Sequence, residues 1–115
     1  MSRAIGGRAE ETAARYLTSR GFIILQRNYA IHGAEIDIIA ADAGCLVFAE
    51  VRYRVSLHPV RPRESVTSAK RRRICKAALF WLQENGLPEA NVRFDIVEIS
   101  PLGITLLKAA FSYAE

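Results

Sequence analysis

Thiols and long apolar runs are scarce in this 115-residue chain. Its two cysteines, Cys45 and Cys75, stand far apart, outside any CxxC pattern and without a histidine at metal-ligand spacing. That excludes a disulfide framework and a thiolate zinc site. The longest uninterrupted apolar stretch, Ala77 to Leu82, has six residues, whereas a membrane helix needs about 20. The opening MSRAIGGRAEE has no apolar segment of signal-peptide length before its paired acids. A cytoplasmic protein with no membrane partner is therefore expected. Internal repeats, linkers and low-complexity tracts are also missing, so one domain over residues 1–115 is expected.

The composition that remains is that of an ordinary globular protein, 50% hydrophobic and 24% charged. The charge is unevenly spread. Nine basic residues lie between Arg52 and Lys76 with Glu64 as the one acid, a local balance of +8. The other seven basic and eleven acidic residues leave the remainder at −4. Thirteen of the 16 basic residues are Arg, the side chain suited to bidentate phosphate contact. A concentrated basic block of this kind is the electrostatic footprint of nucleic-acid binding. Arg54, Arg61, Arg63, Lys70, Arg71, Arg72, Arg73 and Lys76 are its candidate contacts.

Periodicity predicts the elements. Ile5, Ala9, Ala13, Tyr16 and Leu17 recur at helical spacing from Arg3 to Arg20, with Gly21 as the stop. An extended segment follows to about Ile31, then strands over Glu35–Ala41 and Cys45–Arg54 around a turn at Asp42-Ala43-Gly44. After a loop with Pro59 and Pro62, a helix begins near Ser65–Ser68 and runs to Asn85-Gly86. Ile74, Ala77, Ala78, Trp81 and Leu82 form its apolar side, and Phe80 is assigned to the core with Trp81. Asn91–Ile99 and Ile104–Leu107 are the last strands. The order αβββαββ predicts an α/β (α+β) domain with a mixed central sheet flanked by helices.

The carboxylates separate on this frame. Glu10 shares the buried stripe of the first helix with Ala13, Ala14 and Leu17, whereas Glu11 sits over Arg15 as an exposed i,i+4 pair. An acid on a buried stripe is costly unless it is paired or binds a metal. In the third strand Leu46, Phe48, Glu50, Arg52 and Arg54 share a face; in the second, Glu35, Asp37 and Ile39 face together against Ile36, Ile38 and Ala40. If Ala43-Gly44 is a two-residue hairpin loop, Asp42 pairs with Cys45 and Asp37 falls opposite Glu50. Their Cβ atoms then lie about 4.5–5.5 Å apart, where two carboxylates need a shared proton or a cation. Oxygen ligands without His or Cys favour Mg²⁺ or Mn²⁺. Such an ion beside a basic surface suits phosphodiester hydrolysis. Arg52, always protonated, has an electrostatic role there rather than that of a base.

At these residues the chain resembles a known family. NYAIHGAEIDIIA, LVFAEVRYR, ESVTSAKRRRICKAA and RFDIVEI, preceded by AEETAARYL, are similar to the YraN-like family of small bacterial proteins. That family is similar in fold to Holliday-junction resolvases and to restriction-endonuclease-like PD-(D/E)xK nucleases. The resemblance implies Asp37 and Glu50 as metal-binding acids, Glu10 as the acid of the first helix, and Arg52 at the motif's Lys position. It implies a Mg²⁺- or Mn²⁺-dependent endonuclease acting on structured or branched DNA, with a homodimer attractive for symmetric cutting. The segment Glu64–Arg73 matches the family's Val-Thr-x-x-Lys stretch, a candidate DNA-facing helix start. Ala34 and Ala9 replace glycines common in the family, and the loop Val55–Pro62 lacks its usual glycine. A nucleic-acid-binding module on a nuclease fold, with little or no catalysis, is the alternative. A protein-interaction domain meeting an acidic partner is a third.

His32 and His58 read as polar loop residues, Cys75 as a small side chain at least half-buried, and Asp95 as a salt-bridge partner of an Arg. Tyr53 alternates away from Glu50 and is placed outside the site.

Overall fold

The computed structural model describes residues 3–55 and 66–113, with side chains from Gly7 onward. Arg61, Arg63 and Glu64, like His58, Pro59 and Pro62, lie outside the described residues. The elements are α1 (Arg3–Ser19), β1 (Ile23–Ile31), β2 (Ala34–Asp42), β3 (Cys45–Tyr53), α2 (Ser68–Glu84), β4 (Val92–Ser100) and β5 (Gly103–Phe111). This is the expected order, with β5 extending four residues past the predicted end at Leu107. The sheet runs β1-β2-β3-β4-β5, antiparallel throughout except for the central parallel pair β3–β4. This α+β architecture with a mixed sheet is consistent with a nuclease-like fold.

Both helices stop at glycine in the same way. Past α1, Gly21 takes φ 91° while its N–H donates to Thr18 and that of Phe22 to Leu17. Past α2, the N–H groups of Gly86 and Leu87 donate to Gln83 and Leu82. These are Schellman closures, which require a left-handed residue that glycine adopts without penalty. At the other end of α2, the Thr67 side chain accepts from the Lys70 N–H at 3.2 Å and caps the helix.

Each helix covers one sheet face. Ala9, Ala13, Ala14 and Leu17 of α1 pack on Ile38, Ala40, Val47, Ala49, Val51 and Val97. Ile74, Ala77, Ala78, Trp81 and Leu82 of α2 pack on Ile39, Phe48, Phe94 and Ile96. The Phe48 ring meets Trp81 edge-on and Phe94 at a tilt, each with centroids 5.8 Å apart. Cys75 is buried with them. Phe80 is not: it is 46% exposed beside exposed Leu79. A run of six apolar residues is longer than one helical face, so its middle members turn to solvent.

The predicted hairpin register holds. Asp42 pairs with Cys45, and Ala43 and Gly44 both take positive φ (50° and 80°), as a two-residue type I′ turn demands. Beyond Ile38–Ala49 the β2–β3 ladder gives way, and the Val51 N–H is taken by the Asp37 side chain at 2.8 Å.

The predicted alternation of β2 fails at the same point. Arg27–Ile38 and Tyr29–Ile36 are successive pairs of the β1–β2 ladder. Yet Ile38 packs under α1, whereas Tyr29 and Ile36 pack under α2. Between them lie Asp37 and Asn28, and Asn28 holds φ 54° inside a strand. A left-handed residue rotates the following side chains relative to the regular pleat, and Asn tolerates it better than most. Ile36 therefore shares a face with Ile39, not with Ile38 and Ala40 as strict alternation predicts.

Candidate functional site

Asp37 stands where the strands part and the side-chain phase changes, so it is reached from both sides of the sheet. On the α1 side, ligand oxygens of Glu10, Glu35 and Asp37 lie within 4.8 Å of one another. On the α2 side, Glu50 and Asp37 line a cleft of about 450 Å³ with Glu35, Lys70, Arg73 and Ile74. Glu10 is not among the cleft's lining residues.

The backbone holds Asp37 in place through the Val51 N–H. Asn28, with its amide nitrogen turned toward α1, donates to both Glu10 oxygens at 2.8 and 3.1 Å. Glu50 is 96% removed from solvent, its side chain 4% exposed, and its Oε1 receives the Lys70 ammonium at 2.7 Å. Arg52 approaches the same oxygen only to 3.9 Å.

Burial and then the Asp37 charge push the Glu50 carboxyl up to about 7, against the pull of Lys70 and Arg52. Glu10 is also pushed up to about 7, first by burial, then by the charge and hydrogen bond of Asp37 and by Glu35, with Arg27 opposing. The nearby cations therefore do not offset burial and mutual repulsion at these two carboxyls. Its donors are carboxylate oxygens alone, the chemistry that fits a hard divalent ion such as Mg²⁺ or Mn²⁺.

The predicted site residues are thus gathered unevenly. Glu10, Asp37 and Glu50 converge, with Glu10 and Glu50 on opposite sides of Asp37. Arg52 lies beside Glu50 but outside the cleft lining. Arg54 pairs with buried Glu98 at 3.7 Å. Within the basic block, Lys70 and Arg73 reach the cleft, and Arg72, Arg73 and Lys76 are exposed on α2. Arg71 is bound internally, donating to the Val66 carbonyl at 2.9 Å and lying 5.7 Å from the centre of the Phe111 ring. Arg61 and Arg63 lie outside the described residues. Tyr53 stays away from the acids, as expected, beside Arg8, Ala9, Thr12 and Ile99.

Sequence reasoning missed Glu35 and Asn28 as members of the site. Glu35 had a signal, since it is one alternation step from Asp37. The placement of Asn28 depends on a backbone twist that no single-residue preference reveals.

A cation in the first turn of α2 opposes the helix dipole by about 0.3–1 kcal/mol, and no acid accompanies Lys70 there. Glu50 supplies the compensating charge across the sheet surface.

Among known proteins, residues 9–99 match the model of the uncharacterised protein family UPF0102. A UPF0102 protein of Lachnoclostridium phytofermentans is 43% identical over 113 residues, covering 96% of each chain. One from Trichlorobacter lovleyi is 42% identical over 85% of this chain and 78% of its own. One from Rhodococcus jostii is 45% identical over 84% of this chain and 81% of its own.

Proposed function

The chain belongs to the UPF0102 (YraN-like) family, and we propose from its site chemistry that it is a metal-dependent nuclease, and from its resemblance to Holliday-junction resolvases that its substrate is structured or branched DNA. The observation that carries this reading is the convergence of Glu10, Glu35, Asp37 and Glu50 beside a cleft lined by Lys70 and Arg73. Acids short of counter-charge next to a cationic groove match a phosphodiester with its divalent ion. Once bound, such an ion lowers the pKa of a water and neutralises charge on the phosphate and leaving oxygens.

The protein's own residues do the rest. Asp37, fixed by the Val51 N–H, belongs with Glu35 to both acid groupings, with Glu10 on one side and Glu50 on the other. Asn28 orients Glu10. The exposed basic face of α2, with Arg72, Arg73 and Lys76, holds the DNA backbone, and Arg52 and Arg54 extend that surface along β3. Symmetric cutting of a branched substrate needs two sites, so a homodimer belongs to the proposal. Among the described residues, no helix is long and apolar enough to cross a membrane.

The test is cleavage of end-labelled duplex, single-stranded and four-way-junction DNA in Mg²⁺, Mn²⁺ or EDTA, with Asp37→Asn alongside. Metal-dependent cutting that disappears in the variant is the expected result. A second reading, a DNA-binding module without catalysis, draws on the Lys70–Glu50 pair, which already neutralises one of the acids. Salt-sensitive binding with no cutting of any substrate selects it.

A further inference from the structure

We propose that Lys70, from the first turn of α2, is the phosphate-contacting cation of this site, in the role the strand motif assigns to Arg52. The proposal rests on the nuclease reading for its chemistry and on the geometry for its residue.

Lys70 Nζ sits 2.7 Å from Glu50 Oε1, while Arg52 Nη1 stays 3.9 Å away. Lys70 lines the cleft with Asp37, Glu50 and Glu35; Arg52 is not among the lining residues. Strand geometry accounts for the difference. Arg52 follows Glu50 by two residues along β3, beside Glu98 in the register of the parallel ladder, and reaches the Glu50 carboxylate only from that same strand. Lys70 instead approaches from the layer above.

The helix start is built to hold it there. Its own N–H is bound by the Thr67 cap, so the stem leaves a fixed turn. Arg73, one turn further on, lines the same cleft. A lysine at this helix position works against the helix dipole. The arrangement persists because buried Glu50 needs a cation, and the same ammonium lies within the groove a phosphate would enter. Were Glu50 to hold a divalent ion, the Lys70 ammonium beside it would be free to pair with that phosphate.

The test uses the full chain as wild type, Lys70→Met, Lys70→Arg and Arg52→Met. Single-turnover cutting of end-labelled junction DNA is measured in Mg²⁺ at saturating protein, DNA affinity in Ca²⁺, and Mn²⁺ affinity without DNA. Lys70→Met is expected to lose about a hundredfold in saturating rate, with Lys70→Arg recovering part of it. Arg52→Met loses salt-sensitive affinity and less of the saturating rate than Lys70→Met does. Mn²⁺ binds Lys70→Met more tightly, because Glu50 no longer has a resident cation. Loss of the saturating rate in Arg52→Met but not in Lys70→Met overturns the proposal. So does an unchanged Mn²⁺ affinity in Lys70→Met. If the wild type cuts nothing, the nuclease reading fails by itself. Lys70 is then judged on DNA affinity in Ca²⁺: a greater loss in Lys70→Met than in Arg52→Met upholds it, and the reverse overturns it.

Discussion

Strand β2 carries two aspartates five residues apart that live in opposite electrostatic worlds. At its C-terminal end Asp42 accepts from Arg93 at 2.8 Å and Lys108 at 3.1 Å. Arg93 also makes a bidentate pair with fully buried Asp95 at 2.9 Å, and the Ala109 N–H completes that carboxylate. The hydrogen bond from Arg93 holds Asp42 below the usual carboxylate range, against its burial. Nearer the start of β2, Asp37 shares its space with Glu10, Glu35 and Glu50, and burial with mutual repulsion drives Glu10 and Glu50 up to about 7. Acids provided with cations tie strands together. Acids crowded together by burial resist ionisation until a proton or a bound cation relieves them, which is why such groups mark functional sites.

Breaking the balanced centre should have the largest effect. Arg93→Ala strands Asp95 without its charge partner, and a buried pair broken on one side typically costs about 3–5 kcal/mol. Urea denaturation should show that loss at neutral pH. A loss below about 1 kcal/mol would mean water relieves Asp95, leaving the two centres less different than their geometry implies.

The unbalanced centre should respond in the opposite sense. Mg²⁺ or Mn²⁺ binding only the folded state adds about 2.7 kcal/mol at a hundredfold excess over its Kd. Thermal unfolding at pH 8 should therefore shift upward with metal in the wild type and in a Lys108→Ala control, and not in Asp37→Asn. An equal shift in Asp37→Asn would place the ion elsewhere.

A smaller effect is the pH dependence in EDTA. Folded Glu10 and Glu50 titrate near 7, above the ordinary value of 4.5 that applies to the unfolded chain. Between those values the folded state holds protons the unfolded state has released, so stability falls as pH rises through that window and levels off above it. For buried Glu50 the fall is about 1–3 kcal/mol. Asp37→Asn removes the charge both carboxyls face and should flatten the slope between pH 5 and 8. A slope as steep as the wild type's would assign the shifts to burial alone.

Legibility in the sequence followed the regularity of the backbone. The helical stripe separated Glu10 from Glu11, and the two-residue turn fixed the Asp42–Cys45 register because both depend on local geometry with one solution. Alternation failed where Asn28 twists β1, which hid the phase of Ile36, although it did place Glu35 on the side of Asp37. A run of four basic residues, Lys70 to Arg73, also gives no hint of which members turn inward. That is settled by the helix cap, by Glu50 across the interface and by the Val66 carbonyl just before the helix. Phe80 shows the same limit for apolar residues.

The smallest predicted effect is the sharpest control on the comparison, because it concerns two acids adjacent in sequence. Glu11 is half exposed and already paired with Arg15 at 3.1 Å and Arg27 at 2.7 Å. Exposed pairs of this kind contribute little. Glu11→Ala should leave the melting temperature and its metal-induced shift unchanged, whereas Glu10→Gln should reduce the shift. Both variants remove one negative charge from the same helix turn, so a general field effect acts on them alike. If Glu11→Ala weakens the metal shift as much as Glu10→Gln does, the ion is responding to the net charge of that turn and not to the grouping of Glu10, Glu35 and Asp37.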